Sequence, residues 1–282
     1  MVPVVKRVVV VDACPTLRDI VDQLPLARFR VAHLTWGELE PAVEAIQPNT
    51  LFVVQPVATN SALMSFDRID VVRRLLRMKP RVAVVAVTVH PENHSDLFAS
   101  LLEEGLTEWV DLAREACVDA LARRLHRAGA VFVQRILDRA LPPLLPSRTR
   151  ALLGEAAEVA AAGGNVREFA RLLGVSDRTV LRWLDRAELP TSRRLLGWIR
   201  LLVAADYLDA GKMTLEGIAR ATGYSSGPSL KSSIRSMVGA TPNQLRASGA
   251  FSVVSEAFAE ELQTARDERR VVGAPPPRTW LT

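Results

Sequence analysis

Apolar and polar positions follow two different rhythms along this chain. Up to about residue 127, short β-branched runs alternate with amphipathic stretches. The runs are Arg7–Val11, Arg30–Leu34, Leu51–Val54, Val82–Thr88 and a shorter Glu108–Val110. Between and after them lie Thr16–Leu24, Gly37–Ile46, Phe66–Met78, Glu92–Glu104 and Ala113–Arg127, whose apolar residues recur at helical spacing. Near-continuous apolar strands separated by helices predict an α/β unit: a parallel five-stranded sheet covered on both faces, flavodoxin-like in size and order. From Ser147 onward only the helical period remains, so the second half is predicted to be all-α.

Punctuation residues divide the chain further. Ala128–Leu141 reads as a helical connector, and Pro142, Pro143 and Pro146 end it. Four segments result: an α/β unit over 1–127, a connector and Pro-rich linker over 128–146, a helical unit over 147–249, and a tail over 250–282. The tail is expected to be disordered from Thr264, where mixed charges lead to Pro275-Pro276-Pro277. Cap signals are dense in the helical unit: Asn165 with Glu168, Ser176 with Asp177, Thr214, and Thr241-Pro242 with Gln244. Gly163, Gly174, Gly211, Gly223 and Gly239 fall where helices should stop. Together these predict seven helices, with Thr191–Leu208 as the long central one.

One pattern occurs twice, 49 residues apart: Ala170-Arg171-Leu172-Leu173-Gly174-Val175-Ser176 and Ala219-Arg220-Ala221-Thr222-Gly223-Tyr224-Ser225. A short helix ending in Ala-Arg, a turning Gly and a polar helix start outline a helix-turn-helix, which can lay its second helix in the major groove of DNA. In the first copy that helix is Ser176–Ala187. Val180, Trp183, Leu184 and Ala187 share the face expected to pack on Phe169, Leu172 and Leu173. Arg178, Arg182 and Arg186 form a row on the other side, with Thr179 near its start, where they can reach phosphates and guanine edges. A solvated charged face is the alternative for such a row, and Asp185 tempers its charge. In the second copy the helix starts near Gly227 and runs to Val238, with Leu230, Ile234 and Val238 inward. Pro228, Ser232 and Ser236 face outward, flanked by Ser229, Lys231 and Arg235, a far less charged surface that could equally serve stability and backbone contact.

Charge distribution agrees with a polyanion partner for the helical unit. Residues 1–145 carry 17 Lys and Arg against 17 Asp and Glu, whereas residues 146–250 carry 15 against 9. No apolar run is long enough for a membrane span. Cys14 and Cys117 stand apart, with neither a disulfide framework nor zinc spacing. A cytoplasmic location is expected.

The helical unit resembles the DNA-binding domain of the AraC/XylS family of bacterial transcription regulators over roughly Ser147–Gly249. The resemblance rests on Ile218-Ala219, Gly223-Tyr224-Ser225-Ser226, Leu230, Ile234, Val238-Gly239-Ala240-Thr241-Pro242 and Leu245-Arg246. It departs from the family at Ile234, where an aromatic is usual, and at Gly227-Pro228, which replace polar residues. By position it implies base contacts from Arg178, Thr179 and Arg182 in the first unit, and Gly227, Pro228, Ser229, Ser232 and Arg235 occupy the corresponding region of the second. Arg186, Ser226 and Lys231, beside them on the same helices, complete the candidate DNA-binding set. The resemblance also implies a rigid central helix holding the two recognition helices about 34 Å apart, in successive major grooves.

Arg7 to Pro15 resembles the first strand and loop of response-regulator receiver domains. A receiver needs an acid pair to hold magnesium, a phosphate-accepting Asp, a Thr or Ser after the fourth strand and a Lys that balances the phosphoryl charge. Here Asp12 and Thr88 remain, Ala13 replaces the second acid, Gln55 takes the acceptor place and Leu112 the Lys place. Phosphoryl chemistry should fail, although Asp12, Gln55 and Thr88 could bind a small ligand at the strand ends, or be a relic. His90, Glu92 and His94 read as a polar loop rather than a metal site, and Cys14 as a small core residue rather than a redox sensor. No cofactor, metal or catalytic set is expected.

The main reading is a sequence-specific DNA-binding transcription regulator whose α/β domain senses or dimerises without phosphorylation. The alternative is a protein-interaction adaptor that keeps the fold with weak DNA binding. Double-stranded DNA is the expected partner, a homodimer the expected assembly, and RNA polymerase a further candidate partner.

Overall fold

A computed structural model describes residues 6–43, 50–57, 66–78, 82–89, 94–141 and 145–273. Its first half holds β1 (Lys6–Val11), α1 (Pro15–Asp22), β2 (Phe29–Leu34), α2 (Trp36–Val43), β3 (Thr50–Val54), α3 (Phe66–Met78), β4 (Ala83–Thr88), α4 (Ser95–Glu103), β5 (Glu108–Asp111) and α5 (Leu112–Glu115). The five strands are parallel in the order β2-β1-β3-β4-β5, the flavodoxin-like order expected from the sequence. Alternation along β4 shows why both faces must be covered. Ala83, Val85 and Val87 join a core with Leu17, Ile20 and Val21 of α1, while Val84 and Ala86 face Val72 and Leu75 of α3 and Phe98 of α4.

Helix α6 (Val118–Ala140) then runs unbroken for 23 residues. The helix expected over Ala113–Arg127 is broken at Ala116 and Cys117, and its second part merges with the connector, because no residue between Cys117 and Leu141 breaks the hydrogen-bonding of α6. Its packing partner changes instead. Leu121, Leu125 and Ala128 lie in the sheet's core, whereas Phe132, Val133, Ile136 and Leu137 lie in the core of the helical half. Pro142 and Pro143 fall outside the described residues.

The helical half comprises α7 (Ser147–Ala161), α8 (Val166–Leu172), α9 (Asp177–Arg186), α10 (Ser192–Ala210), α11 (Leu215–Ala221), α12 (Gly227–Val238), α13 (Pro242–Ser248) and α14 (Ala250–Gly273). Seven are those expected. The eighth, α14, corrects the expectation of a tail. Val254, Phe258 and Leu262, spaced one turn apart, are buried in the same core as α10, and Trp198 of α10 packs on Phe258 with ring centroids 5.6 Å apart. Asp209 at the end of α10 accepts the amides of Ala250 and Phe251 at 2.6 and 2.9 Å, satisfying donors at the α14 start. Residues 274–282 lie outside the described residues.

Candidate nucleic-acid interface

Each copy of the repeat folds into two short helices about a glycine turn. In the first, Asn165 caps α8, accepting from the amides of Arg167 and Glu168, and the Glu168 carboxylate accepts the Asn165 amide at 2.6 Å. Gly174 adopts φ 66°, which turns the chain so that the Val175 amide reaches the Ala170 carbonyl at 3.0 Å. In the second, Gly223 at φ 79° lets the Tyr224 amide reach the Ala219 carbonyl at 2.9 Å. The two turns therefore share this bond at the 49-residue offset. The following caps do not: Ser176 caps α9, accepting from Thr179, but Ser226 rather than Ser225 caps α12, accepting from Ser229. One extra residue in the second turn shifts the helix register by one, which aligns Arg178, Arg182 and Arg186 with Pro228, Ser232 and Ser236.

Helix α9 divides into the two expected faces. Val180, Leu184 and Ala187 are buried and Trp183 half-buried, packing on Phe169 and Leu173 within the helical core. Leu172 departs from expectation, since 44% of it is exposed at the end of α8. Arg178, Arg182 and Arg186 are all exposed, and their guanidinium groups make no hydrogen bond or ion pair among the described residues. Thr179 is half-buried, its hydroxyl 3.0 Å from that of Ser176. Leu181, one residue before Arg182, is 46% exposed. Sequence reasoning passed over it because apolar spacing alone does not reveal which flank of a short helix lacks a neighbour.

Helix α12 presents a different surface. Leu230 and Ile234 are fully buried and Val238 is half-buried. Pro228, Lys231, Ser232, Arg235 and Ser236 are exposed; Ser226 and Ser229 are half-buried. Gly227 is placed differently from its neighbours in the expected contact set. It is buried, and its amide donates to the Glu216 carboxylate of α11 at 2.6 Å. That donor is spent inside the protein. A Cβ at this position would lie 3.1 Å from Glu216 Oε2 and crowd that bond.

Between the two units, α10 is buried along most of its length. Arg194 holds α14 through paired bonds to Glu261 at 2.8 and 2.9 Å, and Arg246 of α13 donates to the Met213 carbonyl ahead of α11 at 3.4 Å. The scaffold behind both recognition helices is therefore continuous through buried side chains.

The second candidate group lies in the α/β unit. Asp12, Gln55 and Thr88 stand at the C-terminal ends of β1, β3 and β4, which are neighbours in the sheet. Gln55 and Thr88 are buried; Gln55 Oε1 accepts the Cys14 amide at 3.2 Å, and Asp12 Oδ2 accepts that of Trp36 at 3.4 Å. Asp12 carries φ 44°, a left-handed backbone at the end of β1. Internal bonds thus tie Gln55 and Asp12 to the surrounding loops. Leu112 is buried at the start of α5. His90 and Glu92 lie outside the described residues, and His94 precedes α4. Among the described residues no three His, Cys, Asp or Glu side chains form a metal-binding group, and no helix is long and apolar enough to cross a membrane.

Residues 169–248 match a family model described as a helix-turn-helix domain. The span covers both repeat copies and the helix between them. Among solved structures, full-length FixJ from B. japonicum is similar at 18% identity and TM-score 0.30, over 67% of this chain and 95% of that one. The xylose-binding transcription activator XylR is similar at 12% identity and TM-score 0.35, over 88% of this chain and all of that one. No curated protein matches the chain.

Proposed function

We propose, from the AraC-type helix-turn-helix domain at residues 169–248, that this protein is a sequence-specific regulator of transcription that reads double-stranded DNA unequally with its two units. The observation that carries this reading is the row of Arg178, Arg182 and Arg186. These are three exposed guanidinium groups on one face of α9, opposite an apolar face anchored by the buried Val180 and Leu184. Side chains so arranged can form bidentate bonds to guanine edges and pair with phosphates. Helix α12 supports a lesser role, with Pro228 lacking an amide donor, Gly227 committed to Glu216, and Lys231, Ser232 and Arg235 available for backbone contact. In this reading the helices enter successive major grooves about 34 Å apart. The DNA-reading unit takes α14 as part of its scaffold, and the α/β unit acts without phosphorylation, as a sensor or in a dimer, in the cytoplasm. RNA polymerase is a partner consistent with such a role.

The test is a gel-shift panel on sequences selected by the intact protein. Arg178→Ala and Arg182→Ala should each cost about 1–3 kcal/mol in affinity and relax base preference at one position. Lys231→Ala should weaken all sequences alike. Unchanged affinity and preference in both arginine variants would sink the reading. The modest polarity of α12 favours one alternative, an adaptor that binds protein through the same fold. A flat response of DNA affinity to salt would favour it, since counterion release makes phosphate contacts steeply salt-dependent.

A further inference from the structure

A cavity of about 450 Å³ opens between the first helix-turn-helix unit and the central helix, lined by Asn165, Val166, Arg167, Arg193, Leu196 and Arg200. Three of its six lining side chains are guanidinium groups and none is a carboxylate. Arg193 and Arg200 lie two turns apart on one face of α10, and Arg167 sits in the first turn of α8. Val166 and Leu196 supply an apolar wall. Arg200 is half-buried and fixed in place by donating to the Gly164 carbonyl. Burial works against its charge, and Tyr224 and Glu168 nearby only partly compensate. Arg167 and Arg193 are exposed, and their guanidinium groups make no hydrogen bond or ion pair among the described residues.

Three like charges facing one concavity repel, and the repulsion is strongest where a low-dielectric wall limits screening. An anion between them turns that cost into attraction. Planar guanidinium groups suit a tetrahedral oxyanion, because each can offer two parallel N–H donors. The volume falls within the range of small-ligand sites. Position adds a consequence. Gly197, on the same face of α10, looks toward α12, where a Cβ would lie 3.7 Å from Met237 Cε. The cavity therefore adjoins the stretch of central helix that both units share.

We propose that this cavity binds a phosphate group, held by Arg167, Arg193 and Arg200. The group arrives on a free phosphorylated small molecule or as a backbone phosphate of bound DNA. The chemistry is common to both, and only the second source rests on the DNA-reading function proposed above.

Isothermal calorimetry on the full chain, titrated with inorganic phosphate against chloride at constant ionic strength, tests the site without DNA. Saturable binding near or below about 1 mM is expected. It should weaken by roughly tenfold or more in Arg167→Ala and in Arg193→Ala, each of which removes one charged donor pair. Arg171→Ala, which removes an exposed arginine of α8 outside the cavity, should leave it unchanged. A parallel DNA titration separates the sources. If the phosphate belongs to DNA, Arg193→Ala should lower the slope of log affinity on log salt by about 1, with no change in sequence preference. Phosphate binding that survives both cavity variants overturns the proposal. So does the lack of saturable phosphate binding together with an unchanged salt slope. If DNA is not bound at all, the calorimetric result alone decides.

Discussion

Lys6 sits at the foot of β1 with 3% of its surface exposed, its ammonium donating to the His126 carbonyl of α6 at 3.3 Å. Burial pulls its pKa from 10.5 to about 7, with Glu158 only partly restoring it. The same burial, with Lys6 and Arg28 nearby, lowers His126 to about 4. Unfolding returns Lys6 to its ordinary value, so between about pH 7 and 10.5 the unfolded chain holds a proton that the folded chain does not. This group's contribution to stability is complete above pH 10.5 and lost as pH falls to about 7. Lys6→Met should therefore raise Tm at pH 7, and its advantage over the natural chain should shrink steadily toward pH 10.5. An advantage independent of pH in calorimetric scans would contradict the shifted titration. Sequence could not show this burial, since a lysine opening a strand reads as a solvated edge. Gln55 was legible in the opposite way: its place after the third strand marked it as a non-acidic stand-in. Its bond to the Cys14 amide now shows the side chain occupied within the fold. Acetyl phosphate is expected to leave the α/β unit unmodified, which intact-mass measurement would check; an added phosphate would refute it.

At the scale of elements, helix starts and stops were read from side chains that act within one turn, and these survive in detail. Asn165 with Glu168 and Thr241 with Gln244 form the expected reciprocal caps, and all five helix-stopping glycines of the helical half have positive φ. What was illegible depends on partners distant in sequence. Gly227 is buried because Glu216, eleven residues earlier, reaches its amide. Leu172 is exposed at the end of α8, a placement that spacing along one helix does not show. Helix α14 is hard to see in the sequence although Val254, Phe258 and Leu262 keep helical spacing, because mixed charges and three prolines follow them closely. Its packing predicts large effects. Phe258→Ala should cost about 3–5 kcal/mol in chemical unfolding, the usual range for removing a buried aromatic. Asp209→Ala should cost about 1 kcal/mol by freeing two amides at the helix start. A chain ending at residue 249 with undiminished stability would show that α14 is an accessory rather than part of the core.

For the whole molecule, α6 is the element that contributes to both cores. The sequence reading placed a boundary at residues 127 and 128, and the helix changes partners there without breaking. Arg124 near its start binds Glu108 and Glu115 at 2.8 and 2.7 Å, which anchors it to β5 and α5. Near its end, Arg139 pairs with the buried Asp206 of α10 at 3.0 Å and lies over the Phe251 ring. Its apolar residues are thus used within the chain, and a dimer formed through its first half would have to use polar positions such as Asp119, Arg123 and Arg127. One continuous helix with each end built into a different core joins the packing of the sheet to that of the helical half. It should also make the two cores melt together. Ala130→Pro tests this at the change of partner. Proline there removes an amide and clashes with the His126 carbonyl, the group that also receives Lys6, at a local cost of about 3 kcal/mol or more. Buried contacts on either side of residue 130 remain, so each half keeps its own core. Calorimetry should then resolve two transitions where the natural chain shows one, and DNA binding by the helical half should persist with little change. A single transition in the variant, shifted to lower temperature, would mean that the halves are coupled by contacts other than α6.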